Sequence, residues 1–203
     1  MRPRSQPFLR DASGGAAAEF ALVLPLLLIF IFGIIDVGHY MWTVNRAEKA
    51  TQMGARYAVV TEMIPTGLAT YSFSQTGGVP QGSLIPQSAF GGATCTSSGC
   101  TCNAGATCPP LGTASTTAFN NIVARMRAFY PEIQAANVAI EYGYSGLGFA
   151  GDPNGPDVAP LVTVRLVNMN YQPMMLLVFG ATVGLPDFAA TLSLEDGAFA
   201  LSN

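Results

Sequence analysis

From Phe20 to Ile35 the chain reads FALVLPLLLIFIFGII, without one charged side chain. A run of this kind has to leave water. About twenty largely apolar residues, at 1.5 Å rise each, cross a hydrocarbon core of roughly 30 Å. The uncharged run is slightly short of that, but residues 16–18 extend it with alanines, and Val37, Tyr40, Met41 and Trp42 extend it at the other end. Arg2, Arg4 and Arg10 lie ahead of it, opposed by Asp11 alone, and Tyr40 and Trp42 fall where interfacial aromatic side chains gather. This is the order of a transmembrane helix, expected over residues 15–42, with a basic leader over residues 1–14. A buried core helix of a soluble domain is the competing reading.

The formal charge of the 203 residues is -3, and its distribution matters more than its sum. The leader is basic, whereas from Glu62 onward acids outnumber the three cations Arg125, Arg127 and Arg165. The positive-inside bias therefore keeps the N-terminus in the cytoplasm and exports the rest to the periplasm. No basic stripe of the kind that binds nucleic acid is present. A secretory signal peptide would share the basic start and the apolar run, but it needs a small-residue cleavage site after that run. Here the small residues, 13–18, precede it.

Within the run, Pro25 removes one helical hydrogen bond and favours a kink, and Gly33 and Gly38 thin the helix for close packing. Asp36 and His39 are three apart and can meet on one helical face; an interfacial polar pair is the plainer reading, a proton relay or metal site the bolder one. Residues 43–63 contain no proline, and Ala47, Ala50, Gly54 and Ala58 form a small-residue stripe. The helix is expected to run on to Met63, about 70 Å in all, as a stalk over residues 43–64 stopped by Pro65-Thr66-Gly67. A break near Thr43 is the alternative.

Residues 65–114 are rich in Gly, Ser, Thr and Pro and read as loop or irregular strand, with a β-hairpin around Gly77-Gly78. They hold all four cysteines, Cys95, Cys100, Cys102 and Cys108, spaced C-x4-C-x-C-x5-C. In an exported segment this predicts two disulfides with three connectivities open, Cys100 and Cys102 pairing outward rather than together. A zinc knot competes, but the paired C-x-x-C hooks are missing.

Residues 115–203 read as a small α+β domain with an antiparallel sheet. Thr113–Tyr130 has helical spacing in Phe119, Ile122, Val123, Met126 and Phe129. Strands are expected at Val138–Tyr144, Leu161–Met169 and Phe188–Glu195, and the short apolar segment Met174–Phe179 is expected to pack on the sheet. The DPNGPD turn lacks the full calcium-loop pattern, so Asp152 and Asp157 are expected in a solvated acidic turn.

The stretch GGAAAEF from Gly14 to Phe20, followed by the apolar run through Tyr40, resembles the N-terminus of TadE/TadG-like proteins, pilin-like minor components of tight-adherence (Flp-type) pilus systems. The likeness covers about residues 13–60. It extends more weakly to Asn170-Tyr171-Gln172-Pro173, which follows a strand as in that family. The resemblance implies a prepilin-like arrangement: Gly14 as the last leader residue, Gly15 as the new N-terminus, and Glu19 as the fifth mature residue, serving assembly. Phe20, Pro25, Gly33 and Asp36 belong to its membrane helix. Its implied partners are the lipid bilayer, other pilin-like proteins, the pilus assembly platform and a prepilin-type peptidase. The place it implies is the bacterial inner membrane or a surface pilus.

Little in the residues supports catalysis. His39 is the single histidine, and there is no G-x-S-x-G elbow, Walker loop or G-x-G-x-x-G. No catalytic residue, metal site, cofactor or nucleic-acid partner is expected. The expectation is a non-enzymatic pseudopilin-like component of a pilus or secretion apparatus. An uncleaved, membrane-anchored periplasmic binding or scaffold module unrelated to pili is the alternative.

Overall fold

A computed structural model describes residues 15–153, 155–177 and 180–194. Gly14 and the leader, Asn154, Phe179 and Glu195 lie outside the described residues. The described residues divide into two compact units, one within residues 15–42 and 171–183 and the other within residues 43–170 and 184–194.

Helix α1 runs without interruption from Gly15 to Ala58, with Pro25 inside it. No break occurs at Thr43. The helix stops short of the expected Met63, where one local and one distant hydroxyl take part in the bonding. The Thr61 hydroxyl donates to the Tyr57 carbonyl at 2.9 Å. This is a side-chain bond that competes with the helical ladder. The Ile64 N–H then donates to the Tyr142 hydroxyl at 3.0 Å instead of to a helical carbonyl. Pro65 precedes a separate single turn, α2, at Thr66–Thr70.

The larger unit is built on a five-stranded antiparallel sheet: β1 (Gly92–Thr96), β2 (Gly99–Cys102), β3 (Val138–Gly143), β4 (Leu161–Leu166) and β7 (Phe188–Ser193), in the order β2-β1-β3-β4-β7. Two short strands, β5 (Asn170–Tyr171) and β6 (Val183–Gly184), pair separately. The period of two decides the core. Val138, Ile140 and Tyr142 of β3 stand opposite Leu166, Val164 and Val162 of β4, and all six are buried. Cys95 and Ala93 of β1 continue this layer opposite Ile140 and Tyr142.

Helix α3 (Thr116–Arg127) covers the sheet with Ala118, Phe119, Ile122, Val123 and Met126. Ser115 caps its start, its hydroxyl accepting from the Ala118 N–H at 3.2 Å. The second half of α1 packs beside it. A Cβ placed on Gly54 would lie 2.7 Å from Met126 Cγ and 3.4 Å from Val164 Cγ1. Only a residue without a side chain allows α1 to approach both α3 and β4 so closely. Ala47, Ala50, Ala55 and Ala58 are buried along the same half.

The cysteine-containing stretch differs from a structureless loop. Its hairpin is β1–β2, turning at Ser97-Ser98, and Gly77-Gly78 lies outside any strand. Thr94, Thr96 and Thr101 supply the β-branched residues that Gly77-Gly78 lacks, and β1 has a full partner in β3. The disulfides are Cys95–Cys100, which faces across the hairpin register, and Cys102–Cys108, which ties the end of β2 to the chain that follows.

Candidate membrane and assembly site

The smaller unit carries Gly15, Glu19, Phe20, Pro25, Gly33 and Asp36. Along residues 15–42 of α1 the large apolar side chains face outward: Phe20 is 63% exposed, Leu22 80%, Leu26 70% and Phe30 67%. Large apolar groups in such numbers do not stay in water. The helix is long and apolar enough to cross a membrane, and the exposure separates it from a buried core helix. Gly15 and Glu19 lie exposed in its first turns. A Cβ on Gly33 or Gly38 would meet nothing within 4 Å, so neither glycine is used for packing against described residues of this chain.

Asp36 departs from the expected pairing with His39. It is 8% exposed, and its carboxylate accepts two backbone N–H groups, from Met174 at 2.8 Å and from Met175 at 2.9 Å. These are the leading N–H groups of a turn that continues through Leu176, whose own N–H donates to Pro173 at 3.1 Å. The first N–H groups of a turn have no partner within it, and the two carboxylate oxygens supply one each. His39 instead places Nδ1 3.0 Å from the Tyr171 hydroxyl, and its ring stacks on Trp42 with centroids 5.5 Å apart. Tyr171 also meets the edge of Tyr40 at 5.6 Å. Met174 and its neighbours thus pack on α1 rather than on the sheet, because a free carboxylate draws their N–H groups there.

Asp157 departs from its expectation as well. It is buried, not solvated: its carboxylate accepts the Phe73 N–H at 2.7 Å and the Asp152 N–H at 3.2 Å. The turn is a fastening between two loops. Among the described residues no group of three or more His, Cys, Asp or Glu is placed to hold a metal ion.

Two phenols in the larger unit have displaced acidity. Burial pushes Tyr142 well above the ordinary tyrosine value. Tyr130 is pushed up to about 12, chiefly by burial and then by the bond its hydroxyl donates to Glu132. Tyr130 also lies under the Arg46 guanidinium, 5.3 Å from ring centroid to Cζ, while Arg46 Nε donates to the Phe129 carbonyl at 3.0 Å. Both tyrosines hold packing in place.

The apolar outward face and the short segment that leads into it fit one known pattern. Residues 14–56 match the family described as TadE-like protein. The TadE-like segment takes in Gly14, Gly15, Glu19, Phe20, Pro25, Gly33 and Asp36, and it ends just before α1 does. Over those residues the chain is similar to that family, and the described residues combine one long apolar helix with a small antiparallel β-domain. No curated protein and no solved structure matches the chain.

Asp36 and Asp157 are visible in the sequence as acids but not in their roles, since each accepts from backbone N–H groups, Met174 and Met175 for Asp36 and the distant Phe73 with the nearby Asp152 for Asp157. A backbone donor leaves no residue-type signal. A lone acid directly after an uncharged run was the available hint for Asp36.

Proposed function

We propose that this protein is a minor, pseudopilin-like component of a tight-adherence pilus or a related secretion apparatus, held in the bacterial inner membrane. Its leader stays on the cytoplasmic side and its β-domain lies in the periplasm. A prepilin-type peptidase hydrolyses the Gly14–Gly15 bond, leaving a carboxylate on Gly14 and a new amine on Gly15. Gly14 offers no side chain to obstruct a tight protease site. Removal of the leader takes away Arg2, Arg4 and Arg10.

Glu19 then serves assembly. It lies exposed just past the first turn of α1. The new amine, its own or a neighbour's, gives it a cation to pair with inside a complex of pilin-like proteins. In a poorly hydrated zone such a pair gains more than it would in water, although desolvation offsets part of the gain. The assembly platform and the other pilin-like proteins are the partners in this reading, with surface adhesion as its outcome.

The observation that carries the proposal is the TadE-like match over residues 14–56, which begins at the glycine before the proposed cut. N-terminal sequencing of membrane-extracted protein, with and without the cognate peptidase, tests it. The expected mature start is Gly15, and Gly14→Ala slows its appearance without preventing membrane insertion. Glu19→Ala inserts but does not support assembly. An intact leader in peptidase-positive cells with working pili rejects the cut. That result leaves the uncleaved periplasmic binding or scaffold module.

A further inference from the structure

The turn beginning at Met174 has an unusual surface. Four apolar residues follow one another, Met174-Met175-Leu176-Leu177. Met174 is 57% exposed and Leu177 62%. The N–H groups of the same turn are all satisfied. Met174 and Met175 donate to Asp36, Leu176 to Pro173 and Leu177 to Met174, while Leu177 and Leu176 accept from Gly180 and Ala181. Unpartnered backbone groups are costly away from water, so a turn with satisfied N–H groups and outward apolar side chains can enter the edge of a bilayer.

Its position along α1 points the same way. Asp36, which holds the turn, directly follows the uncharged run ending at Ile35. The helix around it still exposes Val37, Met41 and Trp42. Asp36, Val37, Tyr40, Tyr171, Pro173 and Val183 line one apolar cleft there, and Pro173 leads directly into the turn that Asp36 holds.

We propose that the Met174–Leu177 turn is a second membrane contact, with Met174 and Leu177 entering the acyl–headgroup boundary of the bilayer that α1 crosses. The occupant of this surface is lipid, because the turn is fastened at Asp36 to the end of the apolar run whose large side chains face outward. Asp36 is the positioning residue. A carboxylate at this depth is costly unless paired or hydrogen-bonded, and the two N–H groups of the turn compensate it while fixing the turn to the helix. The chain is thereby gripped at two points around one membrane surface. The proposal rests on α1 being the membrane anchor, and its test separates the two.

The four native cysteines are paired, so one introduced cysteine gives one labelling site. The full chain, carrying an environment-sensitive fluorophore at Leu177→Cys, Ile29→Cys or Asn120→Cys, is placed in nanodiscs of phosphatidylethanolamine and phosphatidylglycerol. Lipids with a spin label near the headgroup or at mid-chain, and aqueous iodide, serve as quenchers. The expected result is a blue-shifted Leu177 label quenched best by the shallow spin label. The Ile29 label is quenched best at mid-chain and the Asn120 label by iodide alone. Adding Asp36→Ala strips the Leu177 label of most of its lipid quenching and leaves the Ile29 label unchanged. Asp36→Asn, which keeps one acceptor oxygen, retains part of that quenching.

A Leu177 label quenched by iodide alone, with Ile29 in lipid, overturns the second contact and leaves the anchor standing. Both labels in water overturn the anchor as well. A blue-shifted Leu177 label that no lipid quenches means a protein partner covers the turn, which also overturns the proposal. Unchanged Leu177 quenching in Asp36→Ala overturns the positioning role.

Discussion

Over residues 15–42 of α1 the large side chains face outward, with Leu22 80% and Leu26 70% exposed, whereas over residues 43–58 the small ones face inward, with Ala47, Ala50 and Ala55 fully buried. One backbone conformation serves both. The difference lies in what surrounds each half. In lipid the outward groups are the ones that must be apolar, and size is unconstrained because acyl chains adapt to it. Against α3 and β4 the surroundings are fixed protein at close-packed density, so each added methyl group displaces a neighbour. Counting apolar residues alone would place the protein core in the wrong half of this helix.

The comparison breaks most sharply at its glycines. Gly54→Leu forces Met126 and Val164 aside and should destabilise the larger unit by about 3 kcal/mol, the upper end of overpacking costs. Gly33→Leu, where an added Cβ meets nothing within 4 Å, should leave stability unchanged. Denaturant melts of the detergent-solubilised protein compare the two directly. Equal effects would mean that the first half of α1 is packed as tightly as the second.

The next effect belongs to the larger unit alone. Replacing Cys102 and Cys108 together with serine opens a loop of sequence separation 6. In the chain-entropy picture this costs about 2 kcal/mol. The same melts should show the loss in oxidised protein only, with the difference vanishing under reductant.

Smaller still is Tyr142→Phe, which leaves the buried Ile64 N–H without its acceptor and should cost about 1–2 kcal/mol. The phenols also make the larger unit sensitive to base. Tyr130 ionises near 10 in the unfolded chain but at about 12 when folded, and Tyr142 is raised in the same direction. The folded state therefore keeps protons that the unfolded state has lost. Stability is intact below pH 10 and falls as pH rises through 12. Tyr130→Phe should flatten part of that fall in a pH series of melts. A stability that rises above pH 10 would contradict the burial of both rings.

The smallest effect is on the open face of the sheet. Arg165 and Glu141 form an ion pair at 2.6 Å, but their side chains are 45% and 32% exposed. Arg165→Ala should change stability by no more than about 0.5 kcal/mol, and added salt should remove even that.

Much of this was legible in the residues. The period of two in Val138, Ile140 and Tyr142 and the helical spacing of Phe119, Ile122 and Met126 each name a buried face, because burial selects side-chain type directly. The uncharged run named the membrane helix for the same reason. The β1–β2 hairpin was harder to see, since its strands are short and mix threonine with glycine and cysteine. The end of α1 was hidden because a hydroxyl from β3, Tyr142, captures the Ile64 N–H across the fold. The Asp36 latch was hidden because its donors are backbone groups of Met174 and Met175, and any residue but proline could supply them.

The central claim is that α1 changes its surroundings from lipid to protein near residue 42. Single cysteines placed along α1 and challenged in permeabilised membranes with a water-soluble maleimide test it most directly. Cysteines at Leu22, Leu26 and Phe30 should stay unreacted until the membrane is dissolved. Those at Glu48, Gln52 and Arg56 should react at once, and those at Ala50 and Ala55 should react only after the protein unfolds. Cysteines at Leu22, Leu26 and Phe30 that react as readily as one at Gln52 would contradict the account.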